Sequence, residues 1–163
     1  MRPWYWMACA ALLTVGCQAE PPTPNPPVAV VLPTVDPLTF DDLDIAGCGL
    51  TLIAPGTNAY TDGLYLFSGL PSETEAETGS MRMKLDGEVV NFVRTETSGE
   101  ALIGGQFTSQ TFVSQDGRTT VVVNITQTTA PPDPEVLAID AATIDLEQDG
   151  ETMTLDVVGD TGC

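Results

Sequence analysis

Four Asp-Gly pairs punctuate this chain: Asp62-Gly63, Asp86-Gly87, Asp116-Gly117 and Asp149-Gly150. A two-residue type I′ turn needs positive φ at both central positions, which Asp followed by Gly tolerates better than most pairs. Each pair therefore predicts a β-hairpin, and facing residues should then agree in character. Around Asp149-Gly150, a two-residue loop sets Leu146 against Met153, Ile144 against Leu155 and Ala142 against Val157. The alternate pairs are Glu147 with Thr152, Asp145 with Thr154 and Thr143 with Asp156, so one face is apolar and the other polar. Such a pattern pins the register, because a slip of one residue would invert both faces. Around Asp86-Gly87, Met83 faces Val90 and Met81 faces Phe92, which turns Arg82 and Lys84 outward. Around Asp116-Gly117, Phe112 meets Val121, Thr111 meets Val122 and Ser109 meets Asn124, and both faces are mixed. Asp62-Gly63 sets Tyr60 opposite Tyr65, with Pro55-Gly56 cutting the incoming strand short.

Four hairpins make about eight strands in roughly 125 residues, a spacing that predicts an all-β fold: an antiparallel sandwich or a small barrel built from hairpins. No stretch carries the 3.6-residue apolar period of an amphipathic helix. Pro71 to Ser80 is acidic and reads as an exposed loop, although Ser72 and Glu75 have the spacing of a helix cap. Pro134 to Ala142 runs into the last hairpin and reads as strand, and Gly104, Gly105 and Ala130 to Pro134 mark further breaks.

The first 37 residues have a different character. Met1-Arg2-Pro3 precedes an apolar run from Trp4 to Gly16. That run is shorter than the roughly 20 residues a membrane-spanning helix needs, and a positive charge ahead of such a stretch is the layout of an export leader. It ends Leu13-Thr14-Val15-Gly16-Cys17. The segment resembles the lipobox of bacterial lipoproteins, with Thr14 standing where the family favours an aliphatic residue. The resemblance implies cleavage before Cys17 and acylation of that cysteine, which would attach the chain to a membrane. Gln18 replaces the Asp that retains such proteins in the inner membrane, so the resemblance implies an outer-membrane address, facing the periplasm or the cell exterior. Several acyl chains are sufficient for stable attachment, whereas one gives only marginal binding. The competing reading is ordinary cleavage after Ala19, which would release a soluble protein.

Seven prolines follow between Pro21 and Pro37. They favour extended polyproline geometry at about 3.1 Å per residue, a tether reaching at most about 60 Å. Val28 to Leu32 interrupts it with apolar residues that can dock on the domain as an edge strand. The expected division is a leader over 1–16, a lipidated N-terminus and tether over 17–37, and a β domain over 38–163.

With Cys9 in the leader and Cys17 acylated, Cys48 and Cys163 remain as a pair. In an oxidising compartment they are expected to form a disulfide closing a loop of about 115 residues. Two free thiols or a metal site are the alternatives, the latter poorly served by two cysteines and no histidine.

After the leader, four bases (Arg82, Lys84, Arg94, Arg118) stand against 23 acids, a net charge of −19. Nucleic acid is excluded as a partner, since phosphate neutralisation needs clustered Lys and Arg. A cationic protein partner fits the field, although a saline habitat would make most exported proteins acidic. The chain has no histidine, which removes His-based nucleophilic sites and the usual general base. No catalytic set, metal site or cofactor site emerges. Asp41, Asp42 and Asp44 lack the spacing of a calcium loop. Abundant carboxylates keep a glycosidase-like hydrolase formally open, and that reaction would need two of them facing across a cleft. The expected function is a lipid-anchored, non-enzymatic binding or structural module, with a small-ligand carrier using a barrel cavity as the alternative.

Overall fold

The computed structural model describes residues 31–43, 48–70, 79–130 and 135–162. The strands are β1 (Val35–Asp36), β2 (Gly49–Ile53), β3 (Leu66–Gly69), β4 (Met81–Leu85), β5 (Glu88–Ala101), β6 (Phe107–Ser114), β7 (Thr119–Thr129), β8 (Val136–Gln148) and β9 (Glu151–Gly162). Helix among the described residues is confined to α1 (Ala59–Asp62) and two 3-10 turns, Phe40–Asp42 and Ile103–Gly105. From β2 onward each strand pairs antiparallel with the next, and β9 returns to β2. Of the two expected architectures the structure is therefore the barrel: eight strands in up-and-down order, closed on themselves. Closure leaves no open edge to recruit another chain.

Two hairpins turn as the Asp-Gly rule requires. Asp86 and Gly87 have φ of 50° and 80°, and Asp149 and Gly150 have 53° and 86°. Every expected pair around them is realised, from Met83 with Val90 to Ala142 with Val157. The Asp116-Gly117 hairpin has the expected register, Phe112 with Val121 and Ser109 with Asn124, but positive φ at Gly117 alone. Its turn is set by side chains instead. Ser114 Oγ donates to Asp116 Oδ1 at 2.6 Å, and that carboxylate also accepts from Arg118 N at 3.1 Å.

The Asp62-Gly63 hairpin does not form. Asn58 Oδ1 accepts from Tyr60 N at 2.9 Å and caps α1, while Asp62 Oδ2 accepts from Asn58 N at 2.8 Å. A capped helical turn thus replaces the strand, Gly63 ends it at φ 83°, and Tyr60 is far from facing Tyr65. Leu64 pairs instead with Leu38, through reciprocal backbone bonds of 2.7 and 2.8 Å.

Of the apolar stretch expected to dock as an edge strand, residues 28–30 lie outside the described residues. Val31 is exposed, and the added strand described is β1, paired Val35 to Leu85 and Asp36 to Lys84. Because β5 occupies one edge of β4 along its whole length, β1 takes the edge that β3 uses at Met81 and Arg82. Leu32 and Val35 pack on the core and Pro33 is buried, so the barrel's own contacts begin upstream of Leu38.

Alternation along the strands sends Leu50, Leu52, Leu66, Met81, Met83, Phe92, Phe112, Val121, Val123, Ile144 and Leu146 inward, all with no exposed surface. An eight-stranded barrel has an interior about wide enough for side chains to fill, and these residues fill its middle. Bulges curve the wall at Thr95 in β5 and near Thr126 in β7. At each, the threonine hydroxyl donates to a carbonyl of the neighbouring strand, Thr95 to Thr111 O at 3.3 Å and Thr126 to Ala141 O at 3.1 Å.

The closing seam between β2 and β9 is tight. A Cβ on Gly159 would lie 1.9 Å from Thr51 O. Gly159→Ala is therefore expected to lower stability by about 1–3 kcal/mol through overpacking at the seam. Phe112→Ala is expected to cost about 3–5 kcal/mol through the cavity it leaves. Urea unfolding measures both, and an unchanged midpoint for Gly159→Ala would show that the seam has slack.

Candidate functional site

The two ends of the barrel are built differently. One carries the three hairpin turns and the 54–65 connection with α1. The other carries the Ile103–Gly105 turn and the β2–β9 termini. The chain arrives at the hairpin end, where Thr34 N donates to Asp86 Oδ1 and Gly87 N to Asp36 Oδ2. It then crosses the outside of β3 and β4 as a strap. Leu38 packs with Leu64 and the outward-facing Phe67, all buried, and Leu43, Ile53 and Ala59 border them.

Above this small second core two aromatic rings lie in the open. Phe40 and Tyr60 stack with centroids 5.1 Å apart and planes 27° apart. They are 48% and 84% exposed, which singles them out among the aromatic side chains described. Local bonds fix both supports. Thr39 N and Oγ1 donate to Asp42 Oδ2, each at 2.8 Å, which locks the turn bearing Phe40. Lys84 Nζ approaches the same carboxylate at 3.2 Å and ties the strap to β4. The Asn58 cap holds Tyr60, and Thr57 Oγ1 donates to Ala54 O at 2.7 Å. Asp41 and Asp62 stand exposed beside the two rings in sequence.

A second polar cluster fills the other end of the barrel from within. Arg94 shares the inward face with Phe92 and donates to Gly105 O at 2.8 Å and Gln110 Oε1 at 3.0 Å. Gln106 Nε2 reaches Gly69 O at 3.2 Å, and Thr161 Oγ1 donates to Ile103 O at 3.1 Å. These bonds fold the Ile103–Gly105 turn across the barrel mouth as a plug. Ser68 Oγ, Gln106 Oε1 and Gln110 Nε2 are buried there with no partner among the described residues, a placement that costs stability.

The residues singled out in the sequence fall as follows. Cys17, Cys163 and Asp44 lie outside the described residues, as does the acidic stretch 71–78. Cys48 directly precedes β2, beside the Gly49–Gly162 pair that opens the seam. Asp42 is committed to Thr39 and Lys84, while Asp41 points to solvent. Among the described residues no three His, Cys, Asp or Glu side chains come together as a metal site. Arg82 and Lys84 lie on the outer face as expected. Arg82 Nη1 and the Oδ1 of its cross-strand neighbour Asn91 are both buried, and neither atom has a partner among the described residues.

Sequence reasoning missed both the aromatic stack and the polar plug. The mixed faces of the Asp116-Gly117 hairpin were the available signal for the plug, because Gln110 and Ser114 alternate with Phe112 on the inner face. Nothing local foretold the stack, which joins residues from two separate loops.

Two carboxylates carry pKa values below the ordinary range. The Thr39 backbone N–H, then its hydroxyl, then Lys84 depress Asp42, and the Ser114 hydroxyl followed by Arg118 N depresses Asp116. Asp160, on the outer face of β9 opposite Thr51 and Ala138, is raised by burial alone. For Asp42 the folded value lies below the unfolded one, so its bonds act fully above the ordinary carboxylate range. They are lost as pH falls through the depressed value. An NMR titration should show the Thr39 and Phe40 amides shifting with a midpoint below 3.8, the ordinary Asp value. A midpoint at or above it would mean that the Asp42 clasp is not formed in solution. No protein-family model, curated protein or solved structure matches this chain.

Proposed function

We propose that this chain is a lipid-anchored envelope protein, acylated at Cys17, whose barrel is a non-enzymatic binding module held off the outer membrane by the proline tether. The leader and the lipobox resemblance support the address, and the tether joins the barrel through β1 at the hairpin end. The observation that carries the binding reading is the exposed Phe40–Tyr60 stack, braced on its own core outside a filled barrel. Contiguous exposed apolar side chains rimmed by polar residues mark interaction sites, whereas single exposed ones are ordinary. Side chains close the middle of the interior to a ligand, so the outer surface supports binding better than a carrier's cavity does. For a hydrolase, one carboxylate of a facing pair should be raised by the other, whereas the rise at Asp160 comes from desolvation alone.

Expression in a two-membrane bacterium with labelled palmitate tests the anchor. The natural chain should take up label and sediment with outer membranes. Cys17→Ser should do neither, and label in that variant, or none in the natural chain, would remove the anchor from the reading.

We further propose a Cys48–Cys163 disulfide. The antiparallel ladder pairs Gly49 with Gly162, each the immediate sequence neighbour of one of the two cysteines. Closing so long a loop is worth about 4 kcal/mol in the chain-entropy model. Cys48→Ser should thus lower the melting temperature by on the order of 10 °C. Alkylation before and after reduction, read by mass spectrometry, should count two protected thiols; thiols that react without reductant would exclude the bond.

A further inference from the structure

We infer that the Phe40–Tyr60 stack is the barrel's docking face and that its partner presents Lys or Arg side chains from a basic protein segment. This rests on the binding-module reading and specifies its surface. The stack is the only place among the described residues where two exposed aromatic rings touch. Their supports are rigid: Thr39 and Asp42 clasp one turn, Asn58 and Asp62 the other, and Lys84 pins the strap. Little ordering cost is then left to bear on binding.

Charge decides the occupant. The mature chain carries a net charge of −19, so a second copy would meet strong repulsion. An acidic glycan or nucleic acid would fare no better. Ring faces attract cations through their quadrupole, and Asp41 next to Phe40 and Asp62 in the turn of Tyr60 add carboxylates. Asp42 is already engaged by Lys84, which leaves the exposed Asp41 as the carboxylate nearest Phe40 in sequence.

The mature acylated chain in detergent, titrated at physiological salt with a ten-residue Lys/Arg peptide, tests this. Tyr60→Ala, and Phe40→Ala combined with Tyr60→Ala, leave the net charge unchanged; the double variant should weaken binding about tenfold. Asp41→Asn should weaken it in the same direction. Glu96→Gln with Glu100→Gln removes two acids on β5 towards the opposite end and should leave binding within about twofold. Unchanged melting curves confirm that the ring variants still fold, and Tyr60→Ala alone serves if Phe40→Ala disturbs the strap.

Equal losses from the ring and the β5 variants would reduce the effect to general electrostatics and overturn the inference. Ring-dependent binding of a neutral N-acetylglucosamine oligosaccharide, or ring-dependent self-association, in place of peptide binding would overturn it too. A pull-down from envelope extract separates the two levels. Partners retained equally by the double ring variant refute this surface while the module reading stands. If the natural chain retains none, the module reading itself fails.

Discussion

The pairing of β2 with β9 is the constraint from which the rest of the molecule follows. Without it the meander from β2 to β9 would end in two open edges, each a row of unpaired amides and carbonyls ready to recruit another chain. With it, the wall is continuous and the lumen is sealed along its length. At the seam the strands approach closely: Gly159 on β9 stands where a side-chain carbon would strike Thr51 O on β2, and on the other side of β2 Gly49 stands in the same way against Ser68 O of β3. Glycines weaken a strand interior in isolation, so Gly159 marks a place where closeness matters more than propensity. The same register brings the two ends of the domain together at Gly49 and Gly162.

Closure then dictates what the interior can be. Eight strands leave room for side chains and little else, and Phe92, Phe112, Met81, Met83 and the aliphatic residues take it up. At the plugged end the inner face turns polar. Arg94 and Gln106 donate there to backbone carbonyls of the Ile103–Gly105 turn and the end of β3, and Gln110 accepts from Arg94. A wholly apolar plug would bury more hydrocarbon, but it would leave those turn carbonyls without donors. The cluster meets that need at the cost of three buried polar atoms with no partner among the described residues, and apolar packing in the layers below offsets the cost.

What could be read from the sequence was what is local in it. Asp86-Gly87 and Asp149-Gly150 fix their own φ values, and the flanking alternation fixes register, so those two hairpins follow pair by pair. Asp116-Gly117 gives the same register by another turn, because Asp116 spends its carboxylate on Ser114 and Arg118. Asp62-Gly63 misleads because Asn58, four residues earlier, offers a helix cap that competes with the strand; the outcome depends on side-chain bonds a dipeptide rule does not weigh. Closure was open in the sequence for a different reason. A sandwich and a barrel share the same hairpins and differ only in whether β2 meets β9, a contact between residues about a hundred positions apart.

The strap explains why the candidate site sits where it does. Its path across β3 and β4 is held by an apolar contact, Leu38 on Leu64 and Phe67, and by a charged one, Asp42 with Lys84. Lys84 is one of only five bases in a chain with 23 acids, and it anchors this segment. The pair is part-buried and joins the turn bearing Phe40 to β4, so it serves to orient the strap. Val31, Leu70 and Val89 are also exposed, but Phe40 and Tyr60 are the exposed rings among the described residues that stack on each other. Two braced loops therefore converge on one aromatic pair at the outer wall, while the middle of the interior is taken up by apolar side chains.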